Sequence, residues 1–259
     1  MNEEFAKSLG TIVGFDWVDV GADIGLPIID GVMPSIRVCP ATAEEVASIL
    51  HLCAQNGVAV IPTGAGSALG LGNIPRKADI LLSTRRLNKI IQYNSADMTV
   101  STQAGVGLAE LQEVLGRDRQ FLPIDPPNAH EATIGGVIAT AASGPRRTGY
   151  GSVRDLLIGI RLAHPDGQLT RAGGMVVKNV TGYDMGKLYT GSLGTLGVIV
   201  EANFKLLPLP AVEETIVGFF QEFPSSSAAI DALIDSVLIP NSVEILDATA
   251  ASIVLGGSI

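Results

Sequence analysis

The sequence predicts an α+β protein of two α/β lobes, and three observations carry that expectation. Helical and strand-like segments alternate from Pro40 to Leu115, hairpin and strand signals dominate from Pro127 to Pro208, and the glycines gather in three separate places. With 259 residues the chain exceeds one average domain and can bury a substantial core.

The first lobe opens on a helix. Thr42 and Glu45 form a capping box ahead of Val46, Ile49, Leu50, Cys53 and Ala54 at helical spacing, and Gly57 should end the helix. Val58 to Ile61 is a short β-rich run, and Asp79 to Ser83 reads as the next buried strand. Val100, Thr102 and Ala104 then alternate with Ser101 and Gln103 before Gly105 and a helix around Leu108 to Leu115. The lobe boundary is expected between Tyr93 and Val100, which gives lobes of about 34–96 and 97–210 after an N-terminal extension, 1–33.

In the second lobe, Ile158 to His164 and Gln168 to Ala172 flank Pro165-Asp166-Gly167, a hairpin turn by its composition. Val198 to Leu207 is a long strand that stops at Pro208-Leu209-Pro210. Beyond it, Glu214 to Phe220, a helix near Ser227 to Leu238, and Val243 to Leu246 read as strand, helix, strand, an unfinished third element over 211–259.

The glycine clusters are Gly64-Ala65-Gly66 with Gly70, Gly135-Gly136, and Gly191 through Gly194 to Gly197. Glycine lets main chain approach a phosphate or a flat ring without a Cβ in the way, so runs of N–H can converge on an anion. Three such loops suggest one long ligand, a dinucleotide, although thirty glycines also suit a protein with many tight turns. The first cluster breaks the G-x-G-x-x-G spacing, and no acidic residue stands about 20 positions downstream, so a Rossmann site is not expected. No Lys-Ser or Lys-Thr follows at Walker spacing either.

Composition narrows the partners. The formal charge is −9, from 17 Lys and Arg against 26 Asp and Glu, and no basic tract is present, which argues against nucleic acid. Charges or turn signals interrupt every apolar stretch before the roughly 18 residues that a membrane span needs. Met1-Asn2-Glu3-Glu4-Phe5 has neither a basic n-region nor an apolar h-region, so the cytoplasm is the expected location, with membrane attachment through partner subunits left open. Cys39 and Cys53 lack metal-ligand spacing and read as small apolar groups, so no metal is expected.

Over Pro34 to Pro210 the chain resembles the flavin-binding domain of the vanillyl-alcohol oxidase/PCMH superfamily. The stretches that carry the resemblance are IPTGAGSALGLGN, DPPNAHEATIGGVIATAASGPRRTGYGSVRDLLIG and GSLGTLGVIVEANFKLLP, in that order. Within it, ATIGGVIATAASGPRRTGYG and VVKNVTGYDMGKLYTGSLGTLGVI are most similar to FAD-binding subunits of bacterial glycolate oxidases. The resemblance implies a PCMH-type fold with FAD between the two lobes, and it makes 211–259 the start of a C-terminal cap.

The site residues implied are Thr63, Gly64, Ala65, Gly66, Ser67, Ala68 and Leu69 around the pyrophosphate, with Pro126 nearby. Thr133, Ile134, Gly135, Gly136 and Ala139 follow, then Ser143, Gly144, Arg147 and Gly151, and Gly197, Val198 and Ile199 at the adenine end. The first loop holds no Lys or Arg, so main-chain N–H groups and the Thr63 and Ser67 hydroxyls would carry the phosphate. The 134–142 segment is expected to present a helix start to the ligand, the competing reading being a tightly packed core helix. Some relatives link the flavin covalently through a histidine after the loop glycines. Here that place reads Gly66-Ser67-Ala68, so the FAD is expected to be noncovalent.

Of the histidines, His51, His130 and His164, only His130 falls in a loop that the family brings near the cofactor. Arg146 and Arg147 have two readings: surface ion pairs, or a guanidinium beside the flavin that favours its anionic reduced form. Lys178, Asn179, Tyr183 and Lys187 form a further polar segment, at the cofactor mouth or a subunit contact.

Relatives that oxidise 2-hydroxy acids carry a His-x-Gly-Asp/Glu-Gly-Asn type motif in the cap, and this sequence contains none. The chain runs to Gly256-Gly257-Ser258-Ile259 in what reads as the opening of a cap, and a natural short chain or a trimmed one both fit. The resemblance therefore implies an FAD-linked electron-transfer subunit of a glycolate oxidase-type complex, beside a catalytic flavoprotein and an iron–sulfur subunit. The alternatives are a self-sufficient dehydrogenase for a small 2-hydroxy acid such as glycolate, with Tyr183, Lys178 or His130 at the site, and a nonenzymatic assembly domain. The catalytic residues are not legible from sequence.

Overall fold

A computed structural model describes residues 3–21, 25–175 and 183–255, and the statements below concern these residues. The first lobe contains helix α1 (Glu3–Val13), strands β1 (Val18–Val20) and β2 (Ile36–Val38), helix α2 (Ala43–Gln55), and strands β3 (Val60–Thr63) and β4 (Ile80–Ser83). The strands form a sheet in the order β1-β2-β4-β3, with β2, β4 and β3 parallel and β1 antiparallel at the edge. Thus the first 33 residues, expected as an extension, give the lobe a helix and an edge strand.

Helix α2 starts where the capping box places it. The Thr42 side chain accepts from the Glu45 amide at 3.1 Å, while Glu45 Oε2 accepts from the Ala41 amide at 2.7 Å. Gly57, at φ +62°, turns the chain out of the helix into β3. Strand β4 is buried on both faces: Ile80 and Leu82 join the core under α1 and α2, while Leu81 packs with Leu26 and Ile29 on the other side. Cys53 lies in the first of these cores, and burial pushes its thiol up to about 12, so it stays a protonated apolar group at neutral pH.

The second lobe is built on an antiparallel sheet. It takes β5 (Ile90–Asn94), β6 (Thr99–Gln103), β8 (Leu157–Ala163), β9 (Leu169–Gly173) and β10 (Val198–Lys205), ordered β5-β6-β10-β8-β9, while β7 (Gln120–Phe121) pairs with β11 (Leu207–Pro208). Because β5 bonds to β6, the change of sheet falls between Ser83 and Ile90, ahead of the expected 93–100 boundary. Helices α3 (Leu108–Gly116) and α4 (Ile134–Thr140) and the short turns α5 (Arg147–Tyr150), α6 (Val153–Leu156) and α7 (Gly186–Tyr189) belong to the same lobe. Leu111, Leu115, Ile134, Val137, Ile138, Leu156, Ile160, Ala202 and Phe204 form its core.

The two lobes are not separate bodies. Ala163, Val198 and Val200 of the second sheet sit in the same core as α1, α2, β2 and β4. Beside that core, Arg161 on β8 reaches Glu44 at the start of α2 at 2.8 Å and Glu201 on β10 at 2.6 Å, and Arg171 holds the other Glu201 oxygen at 2.9 Å. Burial opposes the charge on Arg161, yet its hydrogen bonds to Glu201 and Glu44 hold its pKa above the usual value.

After β11 the packing changes. Helices α8 (Phe223–Ile234) and α9 (Ala248–Leu255) form, but the strands expected at Glu214 to Phe220 and Val243 to Leu246 do not. Ile216 is 94 % exposed and Val237 97 %. A strand needs a partner for its amides, and these segments have none among the described residues.

Candidate functional site

Strands β3 and β4 are parallel neighbours that end together, with Thr63 opposite Ser83. Residues 64–70 and 84–85 therefore leave the sheet side by side at its carboxyl edge, the usual place for a ligand in such a sheet. Thr84 donates twice to the Thr63 carbonyl, from its amide at 2.9 Å and its hydroxyl at 3.2 Å. Arg85 donates from Nε to the Gly64 carbonyl at 3.2 Å and from Nη2 to the Ala65 carbonyl at 3.5 Å. The amides of Gly64, Ala65, Gly66, Ser67 and Ala68, by contrast, find no acceptor among the described residues. Gly66 turns the loop at φ +84°, a conformation that suits glycine.

The second cluster meets the first directly. Thr133 caps α4, its hydroxyl accepting from the Gly136 amide at 3.4 Å, and a Cβ on Gly64 would strike that same hydroxyl. Gly135 lies so close to β6 that a Cβ there would meet the Ala104 Cβ at 2.8 Å and its carbonyl at 3.0 Å. The helix start is not a free anion site, however, which corrects the sequence expectation. The Ile134 amide donates to Val106 at 2.9 Å and the Gly135 amide to Ala104 at 2.7 Å. Its glycines serve close approach.

The third cluster closes the arrangement. The amides of Gly191 and Leu193 donate to the carbonyls of Ile138 and Ala139 at 2.9 and 2.8 Å, which fastens this loop to the end of α4. A Cβ on Gly194 would meet Pro62 at 2.6 Å. The result is a narrow cleft of about 60 Å³ lined by Pro62, Thr63, Gly64, Thr84, Gly135, Gly136, Ala139, Leu193, Gly194, Gly197, Val198 and Ile199. All three glycine clusters contribute, and none of these lining residues is charged.

A family model described as "FAD binding domain" matches residues 34–173, more than half of the chain. The chain belongs to that family. FAD is its cofactor. Among curated relatives, the chain is similar to glycolate oxidase subunit GlcD of Bacillus subtilis (strain 168), at 31 % identity over 83 % of the chain and 46 % of the relative. It is also similar to D-lactate dehydrogenase of Anaerostipes hadrus, at 30 % over 83 % of the chain and 45 % of the relative. A D-2-hydroxyglutarate dehydrogenase of Xanthomonas citri is 34 % identical over 66 % of the chain and 36 % of the relative. The chain thus spans less than half the length of each of these relatives.

Among solved structures, an alkyldihydroxyacetonephosphate synthase superposes with a TM-score of 0.75 at 24 % identity, covering 93 % of the chain and 47 % of that structure. This supports the PCMH-type α+β fold.

The residues present fit FAD. The loop amides have the chemistry for a pyrophosphate, and the cleft is too narrow for a dinucleotide to be engulfed, so the ends of the cofactor would run along the open surface on either side. Of the expected contact residues, the cleft gathers Thr63, Gly64, Gly135, Gly136, Ala139, Gly197, Val198 and Ile199. Ala65, Gly66, Ser67 and Ala68 continue the same loop beyond it. Leu69 packs beside Leu81, while Thr133 and Ile134 support the cleft from α4.

Ser143, Gly144, Arg147, Gly151 and Pro126 lie outside the cleft. The Asp125 carboxylate accepts from the amides of Gly144 at 3.2 Å and Arg146 at 3.0 Å, tying 143–147 to the Pro126 loop. Gly151 closes α5 at φ +80°, beside the Ser152–Asp155 capping box. Arg146 pairs with Glu213 at 3.4 Å, whereas Arg147 is exposed.

His130 faces the neighbouring Glu131 at 3.7 Å, His51 meets the Asp166 carbonyl and His164 meets Thr170, so the cleft holds no histidine. Lys178 and Asn179 lie outside the described residues. Tyr183 and Lys187 line a different cavity of about 340 Å³, with Arg154, Asp155, Asp184 and Lys205, which shares no residue with the glycine cleft.

Proposed function

We propose that this chain is the FAD-binding part of a 2-hydroxy-acid oxidoreductase of the glycolate oxidase type, acting as a subunit beside a catalytic flavoprotein and an iron–sulfur partner. The observation that carries the reading is the convergence of three glycine loops on one uncharged cleft, with five loop amides that have no acceptor among the described residues and so can bind an anion. The names of the relatives, a glycolate oxidase subunit, a D-lactate dehydrogenase and a D-2-hydroxyglutarate dehydrogenase, supply the substrate class. Bound FAD supplies the acceptor for the hydride leaving the carbon that bears the substrate hydroxyl.

The chain's own residues bind and orient. Residues 64–68 carry the pyrophosphate, and the lack of bulk at Gly135, Gly136 and Ala139 lets a flat ligand lie against α4. With Arg146 engaged by Glu213, Arg147 is the guanidinium left for the carbonyl end of the flavin ring. No His, Lys, Asp or Glu side chain lines the cleft to take the substrate's hydroxyl proton. That favours the subunit reading, in which a partner supplies the base. The relatives named as dehydrogenases favour a second reading, in which this chain belongs to one self-sufficient enzyme. No helix among the described residues is long and apolar enough to cross a membrane, and in the subunit reading the complex lies in the cytoplasm, reaching a membrane through its partners.

An absorbance spectrum of the purified chain, taken before and after anaerobic glycolate or D-lactate, tests these readings. A flavin band that denaturation releases as free FAD and that substrate does not bleach supports the subunit. Bleaching by substrate alone supports the self-sufficient enzyme. No flavin, even after reconstitution with FAD, overturns both.

A further inference from the structure

Arg85 belongs to none of the glycine clusters, and nothing in its sequence setting marks it. It stands two residues beyond β4, and the parallel register that sets Thr63 against Ser83, carried on, sets Ala65 against Arg85. Its guanidinium spans two consecutive loop carbonyls, Gly64 from Nε and Ala65 from Nη2, while Thr84 holds the carbonyl before them.

A trans peptide points its C=O and its N–H in opposite directions. Holding the carbonyls of Thr63, Gly64 and Ala65 toward residues 84–85 therefore turns the amides of Gly64, Ala65 and Gly66 the other way. These are amides that lack acceptors among the described residues. The bonded guanidinium also polarises these peptides in the sense that makes their amides better donors. It brings a full positive charge to the back of a loop that has none of its own, beside a cleft without charged side chains.

We propose that Arg85 is a positioning residue for the FAD pyrophosphate: it fixes the loop carbonyls outward, so that the amides face the phosphates, and it supplies the positive charge that the loop lacks. This inference rests on FAD as the cofactor. Binding of FAD by the wild-type chain is the control that separates failure of the cofactor reading from failure of the Arg85 assignment.

The test titrates flavin-free chain with FAD, by flavin fluorescence, for wild type, Arg85→Gln and Arg85→Lys, at low and at high salt. ADP, which carries the pyrophosphate, and riboflavin, which does not, serve as competitors, and a thermal melt of each flavin-free variant reports folding. Loss of two hydrogen bonds from a charged donor should weaken FAD by roughly 10- to 100-fold in Arg85→Gln. ADP should weaken in parallel, riboflavin should not change, and the salt dependence should fall relative to wild type. Arg85→Lys should fall between the two, since it keeps the charge without the fork that spans two carbonyls.

Wild-type FAD and ADP affinity in Arg85→Gln would overturn the proposal, as would equal weakening of riboflavin. Wild-type behaviour of Arg85→Lys would overturn the carbonyl-bracing half of it. Should Arg85→Gln fail to fold, Arg85→Lys decides: intermediate affinity for FAD with riboflavin unchanged upholds the proposal, and wild-type affinity overturns it.

Discussion

Two glycine-rich segments meet in this protein and use glycine in opposite ways. In the loop after β3 the carbonyls are bonded and the amides of residues 64–68 have no acceptor among the described residues, whereas at the start of α4 the amides of Ile134, Gly135 and Gly136 all have acceptors within the chain. Both segments look alike on paper, small and uncharged. The first is built to bind an anion, and the second is built so that two pieces of backbone can touch. The lesson is that a glycine cluster states where side chains are absent, and hydrogen-bond accounting states why.

The sharpest way to break the comparison is at their contact. Gly64→Ala places a Cβ on the Thr133 hydroxyl, and the expected outcome is a chain that folds but purifies without flavin, read as the flavin-to-protein absorbance ratio. Adding Thr133→Ala should restore part of that flavin by removing the clash, at a cost of about 1 kcal/mol for the lost helix cap. A double variant as colourless as the single one would mean that the contact is not the cause.

Next in size is Gly135→Ala, which drives a methyl into Ala104. It should cost about 1–3 kcal/mol of stability by overpacking, seen as a lower urea midpoint, while the folded fraction binds FAD nearly as wild type does. If α4 instead loses flavin in proportion to stability, the division of labour between the two segments fails. Gly66→Ala probes the other side of that division. A Cβ there meets only ordinary contacts, Leu69 at 3.6 Å and Thr63 Oγ1 at 3.8 Å, so its penalty comes from φ +84°. About 1–2 kcal/mol for a left-handed non-glycine residue should appear as roughly five- to thirtyfold weaker FAD binding.

The smallest effect concerns the seam between the lobes. The Glu44 carboxyl is held below its usual range by the backbone amide at the start of α2 and by Arg161. A depressed carboxylate adds stability at pH values above its unfolded range, and that stability is lost as pH falls through the lowered folded value. Glu44→Gln should therefore be slightly less stable than wild type at pH 7, and the gap should close on acidification through the carboxylate range. Urea midpoints measured across that range check it.

Much of the fold was legible, because local chemistry and tertiary structure agree in its best-formed parts. The α2 capping box, the Pro165-Asp166-Gly167 hairpin and the apolar run of β4 each carry their own signal. Strand β5 was missed because a register shift between Ile90 and Gln92 breaks its alternation and leaves Ile91 exposed on an edge strand. Residues 214–220 failed in the reverse sense: their composition favours a strand, but pairing is a tertiary property that no single segment holds. At the site, the clusters named most of the cleft, while Thr84 and Arg85 come from the parallel register of β3 and β4 and have no compositional mark.

The core shared by the two lobes has a kinetic consequence. Val198 and Val200 of one sheet are buried with α1 and α2 of the other, so the lobes cannot swing apart like a jaw without exposing that core. Entry and escape of the dinucleotide must then be gated by the short loop that carries its phosphates. The residence time of FAD becomes a property of residues 64–70 rather than of any domain hinge.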